Sequence, residues 1–140
     1  MLNPKNIPQN VDPETNRFSK EVVDAAFKVH FSLGPGLLEN VYETCLIHKL
    51  TQKGLKVERQ VLLPIYFEDV RLETGLKLDL LVEKRLIVEL KAVEAILPVH
   101  EAQLLSYLKL SGCELGLLIN FNVPILKKGI KRIALSKSKR

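Results

Sequence analysis

Leu76-Lys77-Leu78-Asp79-Leu80-Leu81-Val82, a break at Glu83-Lys84-Arg85, then Leu86-Ile87-Val88-Glu89-Leu90-Lys91-Ala92-Val93 read as two strands joined by a hairpin turn. The second strand is a nearly continuous apolar run, the pattern of a strand covered on both faces. Glu89 and Lys91 interrupt it and, two residues apart, point to the same face. Asp79 interrupts the partner strand in the same way. Burying ionised groups is costly unless they are paired or bound to metal. The plain alternative is an exposed sheet face with a simple Glu–Lys contact; Val88, Leu90 and Ala92 argue instead for cover on both sides.

Upstream, Val57, Arg59, Val61, Leu63, Ile65 and Phe67 share one face of a further strand between Gly54 and a Glu68-Asp69 turn. Pro64 predicts an edge position or a bulge, because proline cannot donate to a ladder. Two helices come first. Ser19–Leu33 carries Val22, Val23, Ala26, Phe27 and Leu33 at helical spacing and stops at Gly34-Pro35-Gly36. Leu38–Gln52 directs Leu38, Val41, Tyr42, Cys45, Leu46 and Leu50 inward, with Gly54 as its stop. Downstream, a third helix fits Pro98–Leu110, followed by Gly112. Glu114–Phe121 reads as a buried strand, Asn122-Val123-Pro124 as a loop and Ile130–Leu135 as a short last strand. This order predicts one mixed sheet with helices packed on it.

The chain has 140 residues, 46% hydrophobic and 26% charged, which excludes disorder throughout and suits one domain. We place that domain at residues 17–135, after a loose polar segment 1–16 that holds Pro4, Pro8 and Pro13. No apolar run approaches the ~18 residues of a membrane span, and no signal peptide is evident. Cytoplasmic residence without a membrane partner is the expectation. Cys45 and Cys113 form no CxxC pair and read as buried thiols. The net charge is +5, but Lys127, Lys128, Lys131, Arg132, Lys137, Lys139 and Arg140 supply the excess; without them 14 basic residues face 16 acidic ones. Such a C-terminal stretch, with the basic tail 136–140, could contact phosphates or simply form a solvated end.

Two carboxylates on adjacent strands with a lysine alongside suit a divalent cation. Oxygen ligands hold Mg²⁺ at about 2.0–2.1 Å, and a metal there would stabilise charge developing on a phosphoryl group. Lys91 could orient or deprotonate an attacking water. A second group opens the second helix: Glu39 in Gly36-Leu37-Leu38-Glu39-Asn40-Val41-Tyr42, with Glu43 one turn on. Alone, Glu39 reads rather as an acid serving the helix dipole. A third is Gln103 in His100-Glu101-Ala102-Gln103, one turn from Tyr107. No GxxxxGK loop, no GxSxG elbow and no zinc-spaced Cys/His cluster is present.

Taken in order, Gly36-x-x-Glu39-x-x-Tyr42, Lys77-Leu78-Asp79, Val88-Glu89-Leu90-Lys91, Pro98-Val99-His100-Glu101-Ala102-Gln103-Leu104-Leu105-Ser106-Tyr107-Leu108 and Gly116-Leu117-Leu118-Ile119-Asn120-Phe121 resemble the GxxExxY family. That family falls in the PD-(D/E)XK nuclease-like superfamily, and the resemblance runs from about Phe18 to Leu135. It implies an α/β restriction-endonuclease-like core, a mixed central sheet flanked by helices. It matches Asp79 to the first acidic position, Glu89 and Lys91 to the E-x-K part, Glu39 to the helix acid and Gln103 to the helix glutamine. Leu78 stands where the motif has proline, which is not a ligand.

The implied activity is Mg²⁺- or Mn²⁺-dependent phosphodiester hydrolysis of nucleic acid, with DNA expected as substrate. Asp79, Glu89, the Leu90 carbonyl and Glu39 would hold the metal. Lys91 would position water, and Gln103 would orient Lys91 or a phosphate. Lys127, Lys128, Lys131 and Arg132 are the expected nucleic-acid contacts, and a homodimer or protein partner would help grip a duplex. The alternative is a non-catalytic nucleic-acid- or protein-binding module that retains the fold.

Overall fold

A computed structural model describes residues 11–135, without the side chains of residues 73 and 74. Residues 1–10 of the expected loose segment and the tail 136–140 lie outside it. The first helix, α1 (Pro13–Leu33), starts six residues before the apolar stripe that announced it. Asp12 explains the early start: its carboxylate accepts from the Thr15 N–H, and Pro13 opens the helix with its fixed φ. Val11 is already buried in the core. The segment 11–16 is therefore part of the fold rather than a loose lead.

The remaining elements are α2 (Glu39–Gln52), β1 (Val57–Phe67), β2 (Val70–Val82), β3 (Leu86–Lys91), α3 (Pro98–Ser111), β4 (Leu115–Asn120) and β5 (Ile130–Ala134). A 3-10 turn at Leu126–Gly129, absent from the sequence reading, precedes β5. The strands form one five-stranded sheet in the order β1-β2-β3-β4-β5. Every neighbouring pair is antiparallel except β3 and β4, which run parallel with α3 as their crossover. Helices α1 and α2 cover one face over Leu80, Val82, Val88, Leu90, Leu117 and Ile119. Helix α3 covers the other through Leu104, Tyr107 and Leu108, over Ile87 and Leu118. Both faces of β3 are thus buried, as its apolar run required. Among the described residues no helix is long and apolar enough to cross a membrane.

Pro64 lies on the edge strand, at a register shift between Leu63 and Ile65. The six-residue face expected for β1 does not hold, because the alternation flips at Gln60, whose φ is 51°. On one side Val57 packs with Leu80 and Val82 toward α1 and α2; on the other Val61 packs with Leu76 and Leu78 toward α3. Left-handed backbone at one residue turns the next side chain to the opposite face. Arg59 and Phe67, expected inward, are exposed.

β2 begins at Val70 instead of Leu76, since Glu68 and Asp69 both adopt positive φ and close a tight hairpin that recruits residues 70–75. Leu38 and Val41, read as inward, are exposed, because Leu38 is only the cap before α2. Tyr42, Leu46 and Leu50 carry the buried stripe of that helix. Cys45 and Cys113, read as buried thiols, are half-buried.

Candidate functional site

The ladder between β2 and β3 runs Val82↔Leu86, Leu81↔Ile87, Leu80↔Val88 and then stops. At the next step two side chains replace it. The Asp79 N–H donates to Glu89 Oε2 at 2.8 Å, and the Leu90 N–H donates to Asp79 Oδ2 at 2.9 Å. Each carboxylate satisfies a backbone donor of the opposite strand, so the strands part without orphaning an N–H. One oxygen of each acid is left out of these bonds. In an extended strand the carbonyl shares the side of its own N–H, so the Leu90 carbonyl is directed toward the same opening.

Glu89 is only 4% exposed. Burial, then the Asp79 charge, pushes its carboxyl up to about 8, against the opposing pull of the Asp79 N–H and Lys91. Burial also raises Asp79, while the Leu90 N–H, Lys91 and the Gln60 amide hold it down. Glu39 reaches the same cluster from the first turn of α2. Its carboxyl is raised by burial first and then by the Asp79 charge, with Lys91 opposing. An acid serving only the helix dipole would be held low, so Glu39 belongs electrostatically with the strand acids. The structure therefore joins Asp79 and Glu89 directly, while Glu39 and Lys91 act on them through their charge.

Gln103 arrives differently from the expectation. It lies on an exposed face of α3, one turn from Tyr107, whose hydroxyl is raised first by burial and then by Glu89 and Asp79, with the Gln103 amide opposing. No described contact joins Gln103 to Lys91. α3 can approach this closely because Gly116 leaves room beneath it: a Cβ there would stand 2.8 Å from Leu104. His100 belongs to the helix start, with Nδ1 accepting from the Leu97 N–H at 3.0 Å.

Several participants escaped the sequence reading. Glu43 is buried at 4% exposure, its Oε2 accepting from Gln60 Nε2 at 3.0 Å and its Oε1 lying 2.8 Å from the Arg59 guanidinium. That second contact is one of charge rather than an aligned hydrogen bond. Through Gln60, the network ties α2 to the Asp79 kink. The only local signal was a glutamate on the inward face of a helix, one turn from Glu39. On the other side, Tyr42 donates to the Gly34 carbonyl at 2.6 Å and accepts from the Leu37 N–H at 3.1 Å, pinning the loop before Glu39. Gly36, at φ 99°, donates to Asn122 Oδ1 at 3.1 Å. Buried Asn120 clasps both the N–H and the carbonyl of Val93, which ends β3 at Lys91 rather than Val93.

Among the expected nucleic-acid contacts, Lys127, Lys128 and Lys131 are exposed. Arg132 is not free for that role. It is half-buried, and its guanidinium donates to Ser19 Oγ at 3.2 Å and to Asn16 Oδ1, fastening β5 to α1.

Among the described residues no three His, Cys, Asp or Glu side chains stand together so as to hold a metal ion. The donor set nonetheless fits Mg²⁺ or Mn²⁺: hard carboxylate oxygens, close enough to raise one another, opposite a backbone carbonyl in an open gap. Residues 16–133 match the family model described as the PD-(D/E)XK nuclease superfamily. Neither a curated protein nor a solved structure matches the chain.

Proposed function

We propose that this chain, which belongs to the PD-(D/E)XK nuclease superfamily, hydrolyses phosphodiester bonds in DNA with the help of Mg²⁺ or Mn²⁺. The observation that carries the reading is the clasp of Asp79 and Glu89 across the parted strands, with Lys91 and Glu39 converging on it. Asp79, Glu89 and the Leu90 carbonyl would hold the cation, and Glu39 would complete its shell directly or through water. When bound, the cation supplies electrostatic stabilisation of the charge that builds on the phosphoryl group.

The chain's own residues do the rest. Lys91 shares the face of Glu89, so its ammonium orients water toward a phosphate brought against the acids and offsets the growing negative charge. Tyr107 offers a hydroxyl on the α3 side, held in place by Gln103. Glu43, Gln60 and Tyr42 touch no substrate in this reading; they fix the strand kink and the start of α2, so that Glu39 and Asp79 meet at a constant distance.

The test is incubation of the full chain with plasmid, linear duplex, single-stranded DNA and RNA, each with Mg²⁺, Mn²⁺ or EDTA. Metal-dependent cleavage of a DNA substrate, lost in Asp79→Asn, is the expected result. Failure to bind either cation at millimolar concentration would overturn the reading.

A further inference from the structure

Apart from the carboxylate cluster, the C-terminal half of α1 and the 3-10 turn enclose an open groove of about 530 Å³. Phe27, Phe31, Lys28, Lys49, His30 and Leu126 line it, and none of the described lining residues is acidic. Phe27 and Phe31 are one helical turn apart on the same face, with Cβ atoms roughly 5–6 Å from each other. Phe31 is 94% exposed, a large apolar surface left in water at a place where no core residue needs it. Lys127 and Lys128 follow Leu126 directly and are exposed as well. The patch thus alternates aromatic faces with ammonium groups.

We infer that this groove binds single-stranded nucleic acid, with Phe27 and Phe31 stacking on unpaired bases and Lys28, Lys49, Lys127 and Lys128 meeting phosphates. The inference rests on the nuclease reading for its choice of polymer. A single strand offers stackable base faces and a negative backbone together, which is the complement of this surface. In a duplex the base faces are already stacked, so Phe31 finds no partner. Hydrogen bonds also link the groove to the loop that follows β3. His30 Nε2 lies 2.7 Å from the Val123 carbonyl oxygen. The adjacent Asn122 reaches the Val93 carbonyl, two residues beyond Lys91. Both places border the loop at the carboxyl ends of the parallel strands β3 and β4, where open α/β sheets receive their ligands.

The experiment is fluorescence anisotropy of a labelled oligothymidylate about 20 nucleotides long, with the full chain in EDTA across a salt series. Phe31→Ala should weaken binding about tenfold; Tyr66→Ala, another exposed ring, on the β1–β2 hairpin, should leave it unchanged. Lys28→Glu with Lys49→Glu should flatten the salt dependence by roughly 1.4 in log–log slope. The inference is overturned if the wild-type chain ignores the oligonucleotide, or if Phe31→Ala equals wild type or Tyr66→Ala. It is equally overturned if only anionic phosphatidylglycerol vesicles show the Phe31 dependence. Metal-dependent cleavage with Phe31-independent binding would sink the groove and spare the nuclease. Phe31-dependent binding without any cleavage would do the reverse.

Discussion

The ring of Tyr42 lies flat on that of Phe121, with centroids 4.6 Å apart and planes within 6° of parallel. Both residues are fully buried. This stack joins the second turn of α2 to the end of β4, while the Tyr42 hydroxyl holds the Gly34–Leu37 loop from within. It accounts for the spacing of Gly36, Glu39 and Tyr42: the glycine admits the turn, the tyrosine locks it, and the glutamate between them stands where it feels the Asp79 charge.

Tyr42→Phe keeps the stack and removes the hydroxyl. It should cost about 1 kcal/mol of stability and weaken Mn²⁺ binding severalfold, because Glu39 loses its fixed approach. Tyr42→Ala should cost about 3–5 kcal/mol. Melting curves beside Mn²⁺ calorimetry measure both; an unchanged Mn²⁺ affinity in Tyr42→Phe would detach this loop from the site.

Asp79→Asn, Glu89→Gln and Lys91→Ala should fail in different ways. The two acid variants should lose Mn²⁺ binding and cleavage together. Lys91→Ala should lose cleavage and keep most of the Mn²⁺ affinity, since an ammonium is no ligand. Three variants that only destabilise the fold, with the metal affinity untouched, would return these charges to an ordinary ion-paired sheet.

Metal-free stability should depend on pH through Glu89. Its carboxyl sits near 8 when folded against an ordinary value of 4.5, so the folded state holds the proton more tightly. The stability it contributes is complete below about pH 4.5 and is lost as pH rises toward 8, at up to about 1.4 kcal/mol per pH unit. Denaturant unfolding in EDTA should show wild type falling relative to Glu89→Gln across that window. Parallel curves would mean that Glu89 is not the titrating group.

Glu39→Gln should weaken Mn²⁺ binding with stability changed by no more than about 1 kcal/mol. Glu43→Gln should do the opposite, costing roughly 1–3 kcal/mol through the buried contacts with Gln60 and Arg59. Exposed Thr44→Ala serves as the neutral neighbour. Equal metal effects at 39 and 43 would contradict the separate roles.

Arg132→Ala should destabilise by about 1–2 kcal/mol, as the bonds to Ser19 and Asn16 vanish. Lys131→Ala, on an exposed position of the same strand, should leave unfolding unchanged. The contrast is read from two melting curves.

Local pattern alone singled out Asp79, Glu89 and Lys91 as candidates, because a charge inside a doubly covered strand is conspicuous in one dimension and period 2 fixes its face. It also put Pro64 on an edge and stopped α1 at Gly34-Pro35-Gly36, since proline and glycine act through their own φ. Arg132 was misread for the opposite reason, and the contacts of Glu43 stayed hidden with it. Arg132 looked like part of a basic run, yet Ser19 lies 113 residues away in sequence; Glu43 was placed one turn from Glu39, and nothing local marked Arg59 or Gln60, the latter 17 residues on, as its partners. The flip at Gln60 was equally hidden, for nothing in Arg59-Gln60-Val61 demands a left-handed residue. It arises where β1 must follow β2 past the point at which Asp79 leaves the β3 ladder. Sequence periodicity records which residues want burial; only the packed sheet decides which buried charges meet, because that depends on strands parting and helices crossing at distances no local pattern encodes.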